Sequence, residues 1–315
     1  MSAMERPILP ILLLLASGAA PLWGQARDRG PIVLELPAST RALALGNAFA
    51  LGSGDSDGIF YHPGLLSRAQ GMAAGVQWFA SGGTLTNLSA GQAWFGGGVA
   101  LGIQHLGYQV PAGAIGAIDD ILDLPADEGS LRDSGEAGAS EMVISVGYGR
   151  TLKGIWVGTV AKFIDQTLGY RTASTMAVDL GIARAQGPIT VGLSAQNMGP
   201  AMAMAGGEIP LPTRFTLGAS SRAAPVGPLD VSVSSAVSYR LDGDVVPSLG
   251  LEVGYWPVNG RTFVGRIGYR YRSDAYSATP VTFGGAFLGD NIILEYAFQG
   301  FDEGDPSHRF GIGWR

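Results

Sequence analysis

The stretch SLGLEVGYW, residues 248–256, and the one after it, RTFVGRIGYRYR, residues 261–272, decide how the rest of the chain is read. In the first, Leu249, Leu251, Val253 and Tyr255 fall on one side of an extended chain, and Ser248, Gly250, Glu252 and Gly254 on the other, because successive side chains of a strand point to opposite faces. In the second, Phe263, Ile267, Tyr269 and Tyr271 share a face, and Arg266, Arg270 and Arg272 share its reverse. The same period of two returns at Met142, Ile144, Val146 and Tyr148, at Met176, Val178, Leu180 and Ile182, and at Ile292, Leu294, Tyr296 and Phe298. Phe310, Ile312 and Trp314 repeat it at the end. From about Gly71 onward, alternating runs broken by Gly, Pro, Asp and Asn predict strands joined by turns.

A soluble sandwich alternates as well as a membrane barrel does, so the polar face has to separate them. Here that face is mostly Gly, Ser, Thr and Ala with scattered charges, which suits a confined lumen better than an outer surface rich in Lys and Glu. Composition agrees: charged residues are 15%, hydrophobic residues 46%, and 49 of 315 residues are Gly, against a usual charged share of about 25%. Past the N-terminus no apolar run reaches helix-spanning length, about 18 residues. Trp78, Trp94, Tyr108, Tyr148, Tyr239, Trp256, Tyr296 and Trp314 lie near predicted strand ends, as an interfacial girdle requires. The expectation is an all-β fold, a transmembrane antiparallel β-barrel of about 14 strands, with runs near 72–80, 84–95, 98–109, 140–150, 154–166, 173–185, 188–197, 212–222, 229–240, 246–256, 261–272, 279–288, 290–299 and 307–315. The long acidic connection 111–139 reads as an external loop, either with one helical turn near 118–122 or without structure of its own. Met and Ala in 197–212 point to partial burial of a second long connection.

Residues 1–26 read as a signal peptide: one Arg in a short n-region, the apolar run ILPILLLLA at 8–16, and small residues at Gly24-Gln25-Ala26. The organisation is then 1–26 leader, 27–70 N-terminal segment and 71–315 barrel, placed in the outer membrane of a Gram-negative bacterium. A net charge of −6 argues against non-specific nucleic-acid binding. With no Cys there are neither disulfides nor thiolate sites. His62, His105 and His308 sit in no metal-spaced cluster, and no G-x-S-x-G elbow occurs. The reading is therefore non-enzymatic, with no cofactor and no metal. His308 on the apolar side of the last strand reads as an interfacial histidine, and the Gly-rich run FGGGVALG, 95–102, as a strand kink or a close backbone approach.

The stretch TRALALGNAFALGSGDSDGIFYHPGLLS, residues 40–67, resembles the N-terminal segment of the PorV/PorQ branch of FadL-like outer-membrane proteins, matching at Arg41, Ala42, Leu43, Ala48, Phe49, Pro63 and Leu65. QNMGPAM with IPLPTRFTLG, 196–202 and 209–218, and the closing LEYAFQGFDEGDPSHRFGIGWR are similar to further blocks of that family. His62 stands where the family has Asn, Gly64 where it has Ala, and the chain ends Trp314-Arg315 instead of on an aromatic. The resemblance implies a carrier or docking role in protein export of the type IX kind, with exported proteins or other secretion components as partners beside the membrane lipid. The alternative it leaves open is FadL-type passage of hydrophobic small molecules or fatty acids.

A barrel of about 14 strands is too wide for its own side chains to fill, and in the resembled family the N-terminal segment plugs it. The expected plug residues are Arg41, Phe49, Asp55, Asp57, Phe60, Tyr61, His62 and Pro63. Ser39 or Thr40 would cap a short helix running through Phe49, Pro63 would start another, and Phe60 and Tyr61 would wedge against the wall. Calcium at Asp55 and Asp57 fails the EF-hand spacing, since Phe60 occupies the turn position and no Glu closes the loop. Lys162, Glu252, Arg266, Arg270, Glu295 and Arg309 are expected to face the lumen, with Glu252 pairing to Arg266 or Arg270. They would serve either wall-to-plug ion pairing or a polar gate. The transport alternative predicts an apolar tunnel lined by residues 72–79 with Phe49, Phe60 and Tyr61.

Overall fold

The computed structural model describes residues 30–48, 51, 54–80, 82–110, 137–169, 171–204, 207–271, 278–302 and 304–315. Its strands are β1 (Gly71–Trp78), β2 (Thr84–Trp94), β3 (Gly97–Val110), β4 (Ala137–Leu152), β5 (Ile155–Leu168), β6 (Arg171–Gln186) and β7 (Ile189–Met198). There follow β8 (Met202–Met204), β9 (Gly207–Ile209), β10 (Arg214–Ser221), β11 (Ala224–Val226), β12 (Leu229–Arg240) and β13 (Val245–Val258). The last four are β14 (Arg261–Arg270), β15 (Ala278–Leu288), β16 (Ile292–Phe301) and β17 (Ser307–Trp314). β8 and β9 form a hairpin of their own, and β11 is a three-residue extension on β12. The other fourteen pair antiparallel in sequence order and close through β1–β17 and β10–β12. Full closure leaves no unpaired sheet edge, the condition for a sheet to span a bilayer.

The turn chemistry explains the register. Phe95-Gly96 and Lys153-Gly154, between β2 and β3 and between β4 and β5, both have two successive residues at positive φ, the type I′ geometry whose twist matches that of the flanking strands. These tight turns, with Gly187-Pro188 and Asn259-Gly260, lie at one end of the barrel together with Gln70 and Arg315, and the long connections after β3 and β7 lie at the other. They are called here the turn end and the loop end.

The side chains that alternate to the outside are exposed and apolar: Met72 63%, Met176 67%, Leu249 52% and Phe310 53% are four of a belt running round the wall. A continuous apolar surface of that extent needs lipid against it, since soluble chains keep such patches to a few hundred Å². Trp94 stacks on Phe95 at the turn end, and Trp78 meets Phe310 edge-on toward the loop end.

Three details differ from the sequence reading. β4 begins at Ala137, so the loop expected to run to 139 is shorter, and its supposed helical turn lies outside the described residues. β3 to β6 run 14 to 16 residues, longer than expected, because their ends pair beyond the apolar belt. Tyr108, assigned to the outer girdle, packs instead on the lumen's apolar cluster. Its position on β3 is in phase with inward Gln104 and Leu106.

Candidate functional site: the plugged lumen

The N-terminal segment lies inside the barrel. Its described residues include a 3₁₀ turn, Ile32–Leu34, and a short α-helix, Thr40–Ala44, whose N-cap Ser39 accepts from the Ala42 amide at 3.1 Å. The helix stops at Ala44, short of the expected Phe49, because Gly46 and Asn47 turn the chain at φ 62° and 63°. Phe49 lies outside the described residues. Two more 3₁₀ turns, Ser56–Phe60 and Pro63–Arg68, lead into β1, the second with Pro63 as its first residue.

Inward glycines of the wall are the plug's seat. Gly98, Gly149, Gly158 and Gly181 stand directly opposite one another across β3, β4, β5 and β6, forming one transverse row. A Cβ on any of them would collide with the backbone of the 63–68 turn: Leu66 at Gly98, Ser67 at Gly149, Pro63 at Gly158 and Gly64 at Gly181. Across the lumen, Gly250 and Gly268 oppose each other under Leu45 and Gly46, and Gly102 admits the Phe60 ring. Much of the glycine in the strands is therefore a footprint of the plug.

Polar contacts fix the plug in place. Arg309, fully buried on β17, donates to the carbonyls of Pro37 at 2.8 Å and Ala38 at 2.7 Å, to Gln77 Oε1 at 3.2 Å and to Asn87 Oδ1. Tyr61 Oη accepts from the amides of Ala38 at 2.6 Å and Ser39 at 2.8 Å, so Tyr61 braces the plug internally, and its ring belongs to a buried cluster that includes Ala100 and Val160 of the wall. Burial pushes its hydroxyl up to about 12. Arg41 reaches Glu252 with two nitrogens, both at 3.1 Å, and lies 3.6 Å from Asp55. Arg266 bridges Glu252 at 2.7 Å and Glu295 at 2.5 Å. Of the two partners expected for Glu252, Arg266 is taken; Arg270 lies opposite Ser248 and faces a small cavity beside Arg214 and Arg240. Lys162 pairs with Asp179 at 2.7 Å and donates to Asn197 Oδ1 at 2.8 Å. Asp179 also accepts from the Asn197 amide, which holds Asn197 at φ 58° where β6 and β7 slip register.

Two plug residues are buried with unusual titration. Asp57 accepts from Ser89 Oγ at 2.6 Å, and burial pushes its carboxyl up to about 6. The His62 ring is fully buried against Gly192 and Gly64, and burial drives it down to about 4. Its two nitrogens have no hydrogen-bond partner, although the backbone of Leu193 and Ile182 is close by. Among the described residues no group of three metal-ligating side chains converges.

Toward the loop end the lumen changes character. Leu85, Leu106, Val143 and Ile164 project inward from the wall and close on Val33 and Leu34 of the plug. Met202, fully buried, and Leu211 cover the cluster from the connection between β7 and β10. The inward face is thus apolar here, where the sequence reading took it as mostly small or polar. The tunnel expected along residues 72–79 does not exist as drawn, because Met72 and Trp78 point outward to the lipid side. Near the turn end, plug and wall leave a cavity of about 200 Å³ lined by Arg41, Asp55, Asp57, Glu252, Arg266 and Glu295.

No sequence family and no curated protein matches the chain. Solved structures do match in fold. The toluene transporter TodX of Pseudomonas putida superposes with a TM-score of 0.55 at 10% identity, covering 86% of this chain and 95% of its own. A Pseudomonas aeruginosa FadL homologue gives 0.53 at 7%, covering 88% and 98%. The monoaromatic hydrocarbon channel CymD gives 0.51 at 11%, covering 82% and 92%. The chain therefore has a FadL-like barrel fold, and nothing in these likenesses singles out the PorV/PorQ branch.

Proposed function

We propose that the chain is an outer-membrane channel for hydrophobic small molecules, with the N-terminal segment as its hatch. The observation that carries this reading is the apolar cluster at the loop end, where Leu85, Leu106, Val143 and Ile164 of the wall pack on Val33 and Leu34 of the plug. Displacement of the 32–34 turn would open an apolar chamber inside the barrel. It suits a solute that leaves the outer medium, displaces the stopper and moves on past the hatch. Likeness in fold to the toluene transporter TodX and the monoaromatic hydrocarbon channel CymD supports the same class of solute.

Passage requires the plug to yield, because the 63–68 turn lies hard on its glycine row. The polar contacts of Arg309 and Arg41 then set how much a solute must contribute to open the path. The role in protein export rests on the sequence resemblance alone. Deletion of the gene should slow uptake of radiolabelled toluene or a long-chain alkane by whole cells, with recovery on re-expression. Unchanged uptake, together with loss of exported proteins from the cell surface, would replace this reading with the export one.

A further inference from the structure

Inside the apolar chamber stands one carboxylate that the fold does not neutralise. Glu141 on β4 is fully buried, set between inward Leu106 of β3 and Gln166 of β5 and two residues from inward Val143. Its Oε2 accepts the backbone amide of Val33 at 2.7 Å, and its Oε1 accepts Gln166 Nε2 at 3.0 Å. Among the described residues it has no ion pair, and the other charged group whose field it feels from the plug is Glu35, a second carboxylate. Tyr108 packs at the margin of the same cluster. A buried acceptor of this kind is expensive unless a donor meets it. In the plugged state Gln166 meets Oε1 from the wall and the Val33 amide meets Oε2 from the plug, and the second donor leaves whenever the stopper leaves.

We infer that Glu141 selects the solute: the chamber takes hydrophobic molecules that bring a hydrogen-bond donor or a cationic head, and turns away carboxylates. The inference rests on the transport reading and adds to it the chemistry of the head group. The 32–34 turn occupies the place of such a solute, with Val33 and Leu34 as its oily part and the Val33 N–H as its head. A neutral hydrocarbon displacing the turn removes the Val33 donor from Oε2 and leaves Glu141 only its wall partners, Gln166 and Tyr108. An alcohol or amine restores the hydrogen bond, and an amine also supplies the missing positive charge. A fatty acid puts a second carboxylate beside the first, and like charges at close range in a dry site oppose binding.

The test uses the full chain in neutral detergent, with hydrogen exchange of the 32–36 amides as the readout of stopper displacement and octylamine, 1-octanol and octanoate as matched probes. Octylamine should raise exchange several-fold over buffer, 1-octanol less and octanoate least. In Glu141→Gln, whose side-chain carbonyl still accepts the Val33 amide, the amine should lose its lead and octanoate should draw level; Glu141→Asp should keep the original order. Octanoate equal to octylamine in the wild type, or an unchanged order in Glu141→Gln, overturns the selection by Glu141 while leaving transport standing. No response to any of the three overturns both.

Discussion

Arg309 and Tyr61 grip the same turn of the plug from opposite sides: the guanidinium takes the carbonyls of Pro37 and Ala38, and the phenol takes the amides of Ala38 and Ser39. One residue belongs to the wall and the other to the plug, so the turn is a joint between them. Tyr61→Phe removes the acceptor of two buried donors and should loosen the turn by about 1–3 kcal/mol. Arg309→Met should loosen it at least as much and also free Gln77 and Asn87. Because both act on one turn, the double variant should lose less than the two single losses added together. Amide exchange at Ala38 and Ser39 measures all three, and strict additivity would mean that the two contacts are independent.

The glycine row makes a second, sharper prediction. Gly158→Ala places a methyl group against the Pro63 carbonyl, and Gly149→Ala places one against Ser67 and Leu66. Neither neighbour is a flexible side-chain end, so the 63–68 turn has to lift. Gly265→Ala on the outer face of β14 meets nothing within 4 Å and serves as the matched control; it should be neutral or slightly stabilising, since Ala costs less strand entropy than Gly. All three barrels should keep the heat-modifiable gel mobility of a closed barrel. Only the two inward variants should expose residues 54–70 to protease. Equal protection in Gly158→Ala would show that the row does not seat the plug.

How far the sequence could be read follows the same division. Alternation such as Leu249, Leu251, Val253 and Tyr255 survives in the fold because the outer face meets one uniform solvent. That uniformity is also why fourteen strands could be counted. The inner face meets different things at different heights: plug backbone at Gly158, a guanidinium at Glu252, an oily cluster at Val143. No single period marks those, so nothing in the alternation sets Val143, Leu106 or Glu141 apart. Even so, Glu252 was legible as a charge needing a partner, and Pro63 as the start of a short helix. What the sequence could not supply was the pairing, because Arg41 and Glu252 are 211 positions apart.

The ionic chain along the wall ranks its own members. Arg266 is nearly buried and holds two carboxylates, Glu252 and Glu295, apart from each other's repulsion. Removing it as Arg266→Gln leaves both charges in a confined space, a loss of about 3–5 kcal/mol by analogy with other broken buried pairs. Arg41→Gln leaves Glu252 still paired with Arg266, and its own end of the network is more open to water, so the loss should stay near 1 kcal/mol. Urea titration of plug release in the two variants gives the order directly. A larger loss for Arg41→Gln would place the anchor on the plug and not on the wall.

Asp57 and His62 make the plug's hold on the barrel nearly indifferent to mild acid, by cancellation. Asp57 has its docked value raised from 3.8 to about 6. Its neutral form suits the docked state, and docking therefore strengthens as pH falls from about 6 toward 4. His62 has its value lowered from 6.5 to about 4. The released ring gains a proton that the docked ring refuses, and docking weakens as pH falls through that same window. Each shift corresponds to roughly 3 kcal/mol across the window, with opposite sign. Plug protection in the wild type should therefore change little between pH 6.5 and 4. Asp57→Asn removes one side of the balance and should make the plug release on acidification, while His62→Asn should make it tighten. Hydrogen exchange of residues 54–70 at four pH values reads both, and parallel curves for the two variants would show that these groups do not set the balance.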